Sequence, residues 1–309
     1  MNGEILYADI FNRNGISAFM PLYEHRRCLK DLTIDKLKER FDRLLDNLSV
    51  FDWGGNYHFL VNNDEIGTKF IHAQLECQLR GINFDNIINK KMEYYNSKLL
   101  NFDIDKIKII NNKIGNKNVI IKYLPNEYID FWKKGGIHFS LSSNYNDLSI
   151  PVYKRDEENS IAYDNVSGLS IMGEDSGPVV RVFKLQSTVR PYYLTCFSAV
   201  FNPKLFVLFE LDSCIIIYNV PEYISTVKEY LIYKYNNSHV FYEPIKYVDE
   251  VCNIELENRI EFTKRYIFQY EKEQRLILYF DDENENKNNS KEYMIDGINI
   301  ECDSLTFKG

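Results

Sequence analysis

Apolar residues in the first third of the chain recur three and four apart, and past Lys117 that spacing gives way to short runs of β-formers. Leu32, Leu37, Phe41, Leu44, Leu45 and Leu48 fall on one face of an amphipathic helix that Asp31 or Thr33 can cap. The same period returns in Ile66, Phe70, Ala73 and Cys77, and in Phe84, Ile87, Ile88, Met92, Tyr95 and Leu99, so residues 30–100 are expected to be mainly helical. The stretch NNKIGNK (111–117) reads as a turn or linker before the β-rich VIIKYL. A boundary near 115 therefore separates a mainly helical region, 1–115, from an α+β domain, 116–309. In the second part the pattern predicts strands at 119–124, 137–141, 179–184, 193–198, 214–219, 240–249 and 273–280, and helices at 126–134, 221–235 and 254–270. Pro125 suits the first turn of the short helix and Gly135 and Gly136 suit its end. DDENENKNN (281–289) is expected to be a solvated loop.

Composition excludes some classes of function. With 45% hydrophobic and 27% charged residues the chain has the balance of a globular protein. It has neither a signal-like N-terminus nor 18 consecutive apolar residues, so a cytoplasmic protein with no membrane partner is expected. A net charge of -8 argues against general nucleic-acid binding. The six cysteines form no CxxC pair and are expected as reduced, mostly buried thiols. The five histidines have no metal-ligand spacing, and neither a P-loop, GxGxxG nor GxSxG is present.

Three segments carry candidate chemistry. Gly135–Asp147 is a strand running into small polar residues, among them His138, Ser140, Ser142, Ser143, Asn144 and Tyr145, which suits a ligand with phosphate or amide groups; a plain strand end with Asx and Ser turns is the alternative. Thr195-Cys196-Phe197-Ser198 is followed by the apolar run Phe206–Ile217, which Asp212 and Ser213 interrupt. Asp212 then either starts a strand in a turn or has a partner, and Cys196 is assigned as a structural thiol. In Glu271-Lys272-Glu273-Gln274-Arg275, a strand beginning by Glu271 would put Glu271, Glu273 and Arg275 on one face, two carboxylates and a guanidinium able to hold a ribose hydroxyl or stabilise positive charge on a sugar. The alternative is a solvated helix end followed by a strand.

On these residues, the stretch from about 118 to 280 resembles a widespread bacterial family of unknown function, marked by a Tyr-containing first strand (Lys122-Tyr123), an Asn-Asp turn (Ser140–Asp147), a CFS segment (196–198) and a Glu-x-Glu-x-Arg strand (271–275). More distantly, Gly136-Ile137-His138-Phe139-Ser140 with Ser142-Ser143-Asn144-Tyr145 resembles the NAD-binding stretch of ADP-ribosyltransferases of the poly(ADP-ribose) polymerase type, and Glu271-x-Glu273 resembles their late Glu motif. His138 stands where that family has a Tyr, and its first-strand His has Lys122 or Tyr123 as the nearest counterpart. This second resemblance implies a split-sheet, mixed α+β domain that uses NAD as substrate. In it Glu273 or Glu271 holds the ribose and helps activate the acceptor, and His138 flanks the nicotinamide. Lys122, Tyr123, Ser140, Ser142, Tyr145 and Arg275 shape the pocket. The implied role is a bacterial toxin or anti-phage effector acting on a macromolecular acceptor, protein or nucleic acid, with residues 1–115 binding an antitoxin or regulatory protein. Two other readings stand beside it: a non-catalytic protein- or ligand-binding module, and a metal-dependent nuclease or phosphoesterase that would bring Asp147, Asp212 and Glu273 together.

Overall fold

The structure, a computed structural model, describes residues 20, 23–24, 27–51, 57–59, 65–99, 103–146, 160–166, 170–173, 176–180, 183–249, 251, 259–281, 290–295, 298 and 300–306. The chain divides into two compact units. One comprises Met1–Asn112, Ile267–Tyr270 and Phe307–Gly309; the other comprises Lys113–Tyr266 and Glu271–Thr306.

The first unit is mainly helical. Its elements are α1 (Ile34–Leu48), the short antiparallel pair β1 (Ser49–Phe51) and β2 (Tyr57–Phe59), α2 (Glu65–Leu79), α3 (Asp85–Leu99) and most of α4 (Ile104–Ile114). Thr33 caps α1 by accepting from the Lys36 backbone N–H at 3.3 Å. The apolar stripe read from the sequence buries Leu37, Phe41, Leu44, Leu45 and Leu48, and Phe41 meets Phe70 of α2 with ring centroids 5.0 Å apart. Helix α4 runs through Asn111–Ile114, so the stretch read as a linker is helical to Ile114 and stops where Gly115 takes a φ of +51°.

The second unit is α+β. Its elements in chain order are β3 (Ile120–Leu124), a 3-10 turn at Asn126–Tyr128, α5 (Ile129–Lys133), β4 (Gly136–Leu141), β5 (Ser160–Val166), β6 (Ser170–Gly173), β7 (Ser176–Val180), β8 (Phe183–Thr188), β9 (Tyr193–Ser198), α6 (Lys204–Phe209), β10 (Ser213–Ile217), α7 (Val220–Lys234), β11 (Ser238–Pro244), β12 (Lys246–Val248), β13 (Thr263–Arg265), β14 (Glu273–Phe280), β15 (Ser290–Met294) and β16 (Cys302–Thr306). An eight-stranded sheet runs β11-β14-β9-β3-β10-β16, with β4 joined to β9 and β15 to β4. Its pairings are antiparallel throughout; the parallel pairing is between β12 and β13, outside it.

The sheet divides at β9. One edge of β9 is paired along its whole length with β14, from Glu273↔Ser198 to Leu278↔Tyr193. The other edge is shared: β3 pairs with it at Ile121↔Ser198, and β4 at Ser140↔Leu194 and Leu141↔Tyr193. Between those contacts, at Thr195–Phe197, β3 and β4 part. One face of the sheet carries the main core, in which Phe197, Leu276, Leu278 and Phe280 pack with Trp132 of α5 and Tyr223, Val227 and Leu231 of α7. The period of two places the other residues of β14, Glu273, Arg275, Ile277 and Tyr279, on the opposite face, where Ile277 and Tyr279 pack with Leu194 and Phe262.

Several elements differ from the pattern-based expectation. The helix expected over 254–270 does not form in its described part: Ile260–Phe262 is a 3-10 turn, Thr263–Arg265 is a strand paired with β12, and Tyr266–Glu271 is a second 3-10 turn. Two short 3-10 turns flank a three-residue strand there, pieces too short to carry a period of their own. In the apolar run after Cys196, Lys204–Phe209 is a helix ended by Glu210 at φ +51°, and the strand starts only at Ser213. Asp212 sits exposed just before that strand, outside the buried run, and its carboxylate has a partner, accepting from the Asn126 N–H at 2.8 Å. The 240–249 strand is two strands, broken at Ile245, and 179–184 spans the end of β7 and the start of β8. Asp147, Cys252, residues 254–258 and 282–289 lie outside the described residues. Among the described residues no helix is long and apolar enough to cross a membrane.

Candidate functional site

The split in the sheet opens onto a cavity of about 370 Å³ lined by Ile121, Lys122, Tyr123, Ser140, Asn144, Tyr145, Cys196, Phe197, Ser198, Leu205, Phe209, Leu211, Lys264, Glu271 and Glu273. Its size and its mixture of apolar wall and few polar groups are those of a small-molecule site.

Four charged side chains interlock on one side of it. Lys264, from β13, donates from Nζ to Glu271 Oε2 at 2.9 Å and to Glu273 Oε2 at 3.0 Å. Arg275, fully buried, donates from Nε to Glu273 Oε1 at 2.6 Å and from Nη1 to the Glu261 carbonyl at 2.9 Å. Lys272, between the two glutamates, has a φ of +46°, and this left-handed residue turns the chain from the 3-10 turn into β14. Glu271 and Glu273 thereby both reach Lys264, although the strand begins at Glu273 and not at Glu271. The backbone is tied down on both sides: Ser198 Oγ donates to the Glu271 carbonyl at 2.7 Å, and the Glu273 N–H donates to Tyr247 Oη at 2.8 Å.

This geometry drives the two carboxyls apart. Burial, together with the neighbouring charge of Glu273, pushes Glu271 up to about 8, against the pull of Lys264. Burial would raise Glu273 as well, but the Arg275 and Lys264 charges outweigh it and hold Glu273 well below the usual carboxylate range. The two carboxyls are thus shifted in opposite directions, Glu271 toward holding a proton and Glu273 toward the ionised form. Burial also raises the Tyr247 hydroxyl well above its ordinary value, reinforced by the Glu273 and Glu271 charges.

Lys122 lies at the split itself. Its Nζ donates to the Cys196 carbonyl at 3.0 Å and to Thr195 Oγ1 at 3.1 Å, with the Trp132 and Phe197 rings 5.7 and 5.8 Å away. Burial lowers its pKa, while the nearby Cys196 and Glu273 pull it up. Tyr123 is fixed by exchanging hydrogen bonds with Asn202, donating to its carbonyl at 3.0 Å and accepting from its N–H at 2.8 Å.

Of the nine residues to which the ADP-ribosyltransferase resemblance gives a role, Lys122, Tyr123, Ser140, Tyr145, Glu271 and Glu273 meet at the cavity, and Arg275 stands behind Glu273. Two lie off the lining. His138 is at the β4–β15 pairing, 3.1 Å from Glu292 Oε1 and 3.3 Å from Ser140 Oγ. Ser142 is buried, and its Oγ accepts from the Tyr192 N–H at 3.0 Å while its own N–H donates to the Tyr192 carbonyl at 2.8 Å, a clamp between the end of β4 and the start of β9. Lys264 was missed: it sat in a segment read as helix, and no local pattern marks a lysine that meets two glutamates seven and nine residues on. Cys196, taken as a structural thiol, is at the cavity wall and hydrogen-bonds Glu273. Cys28, Cys77, Cys196, Cys214 and Cys302 are free thiols, Cys77 and Cys214 buried. Among the described residues no group of three or more His, Cys, Asp or Glu side chains is placed to hold a metal ion.

Comparisons with protein-family models, with curated proteins and with solved structures gave no match to this chain.

Proposed function

We propose that the cavity is the substrate site of a glycosyl-transfer enzyme that consumes NAD in a reaction of the ADP-ribosyltransferase type. The observation that carries the reading is the fixed carboxylate at the cavity wall: Glu273, buried, held in the ionised form and oriented by Lys264 and Arg275. The C–N bond between ribose and nicotinamide breaks with its electron pair on nicotinamide, and the ribose carbon gains positive charge that a preoriented carboxylate stabilises without reorganising. A nucleophile of the acceptor then bonds to that carbon and gives up its proton to solvent water. In this reading the acceptor is macromolecular, the protein is a toxin or anti-phage effector, and the helical unit engages an antitoxin or regulatory protein.

The test is release of nicotinamide from labelled NAD in the presence of cell protein and RNA, with Glu273→Gln alongside. The expected result is release by the wild type and a drop of roughly a hundredfold or more in the variant. Absence of release from the wild type would overturn the reading. One observation favours a second reading, a ligand-binding module without catalysis: both oxygens of Glu273 are already engaged, Oε1 by Arg275 and Oε2 by Lys264. Specific NAD binding without nicotinamide release would be its signature.

A further inference from the structure

The charged groups at the cavity are not partnered alike. Lys264 and Arg275 each meet a glutamate, whereas both hydrogen bonds from Lys122 Nζ go to neutral oxygens, the Cys196 carbonyl and the Thr195 hydroxyl. Among the described residues, the carboxylate that acts on Lys122 is Glu273, and it does so through space while bound to two other cations. The Lys122 ammonium thus sits at a cavity wall beside two aromatic rings, where an ammonium without a contacting counter-charge is costly. An ammonium has three N–H donors, and two are used. Ser140, Asn144 and Tyr145 line the same cavity and add neutral hydrogen-bonding groups suited to an oxyanion.

We propose that Lys122 is an anion subsite, and that the ligand of this cavity places a phosphate or carboxylate in the gap where β3 and β4 part. The proposal does not require catalysis, since it concerns the charge of the ligand and holds for transferase and binding module alike. It also gives the sheet division a purpose. The parting of β3 from β4 lets a ligand group reach a side chain that a continuous ladder would enclose.

The experiment measures binding of ribose, ribose 5-phosphate and the sugar acid ribonate to the full-length protein by calorimetry, for the wild type and for Lys122→Met, whose side chain keeps the aliphatic stem against Trp132 and Phe197. The wild type is expected to prefer ribose 5-phosphate over ribose by about tenfold or more, the size of one charge-assisted hydrogen bond, and Lys122→Met to lose that preference. Preference for ribonate as well would mean that either oxyanion satisfies the subsite. Equal affinities for ribose and ribose 5-phosphate, binding of none of the three, or an undiminished preference in a folded Lys122→Met overturns the proposal. Should the variant not fold, the wild-type comparison decides alone. The two readings fail separately: no nicotinamide release with the anion preference intact removes the transferase, and release without the preference removes the subsite.

Discussion

Arg275 Nε donates to Glu273 Oε1 at 2.6 Å, between two residues two apart on the same face of β14 and both removed from solvent. A strand presents alternate side chains to one face, so this pair is built into the local sequence. What makes it more than local is that the face is covered, and neither charge has water to return to. Breaking such a pair strands the partner. Arg275→Met is therefore expected to destabilise the protein by about 3–5 kcal/mol, measured by urea denaturation, because Glu273 then keeps Lys264 as its one ionic partner among those described.

The glutamate pair gives stability a pH dependence of two signs. Glu271, raised from its ordinary 4.5 to about 8, binds its proton more tightly folded than unfolded, so its contribution is complete below about 4.5 and is lost as pH rises toward 8. Glu273, held below its ordinary 4.5, contributes above that value and loses its contribution as pH falls through its folded pKa. Chemical denaturation between pH 5 and 8.5, a window on the order of the Glu271 shift, is expected to show a decline that Glu271→Gln flattens. An unchanged slope in the variant would assign the decline to other groups.

Ser142 separates a structural role from a binding one. Its hydroxyl accepts the Tyr192 N–H, and Ser142→Ala leaves that buried donor unsatisfied, at a cost of about 1–3 kcal/mol. Since Ser142 is not in the lining, ligand affinity measured below the melting temperature is expected to stay at the wild-type level. A loss of affinity at full folding would return Ser142 to the site.

Gly135 ends the short helix before β4 with a φ of +89°, and a Cβ there would meet the Ile295 carbonyl oxygen at 2.7 Å and Ile298 Cγ2 at 2.5 Å. Both the backbone conformation and the space exclude a side chain. Gly135→Ala is expected to lower stability by about 1–3 kcal/mol, read as a fall in the thermal midpoint.

Local order was legible where one physical rule acted alone. Glu273–Phe280 alternates faces, and the stripe Leu37, Phe41, Leu44, Leu45, Leu48 turns with a helix, because period and burial coincide there. Gly135 marked a helix end by its conformational freedom. The segment around Lys264 was not legible because no local spacing marks a three-residue strand between two 3-10 turns, and its pairing with Lys246–Val248 is a contact between residues distant along the chain.

The sequence by itself thus determined the α+β composition and the one-sided Glu273–Arg275 pair, since both follow from side-chain periodicity along a single element. Tertiary structure decided the rest. That Lys264 meets Glu271 and Glu273, that Lys122 stands where β3 and β4 part, and that His138 and Ser142 fall outside the cavity are consequences of which strand edges pair. Edge pairing depends on contacts between residues distant along the chain, and no local spacing encodes them. The same holds for protonation. Two glutamates with one intrinsic acidity acquire opposite shifts because one is bound by both Arg275 and Lys264, and in the other burial and its neighbour's charge outweigh Lys264 alone.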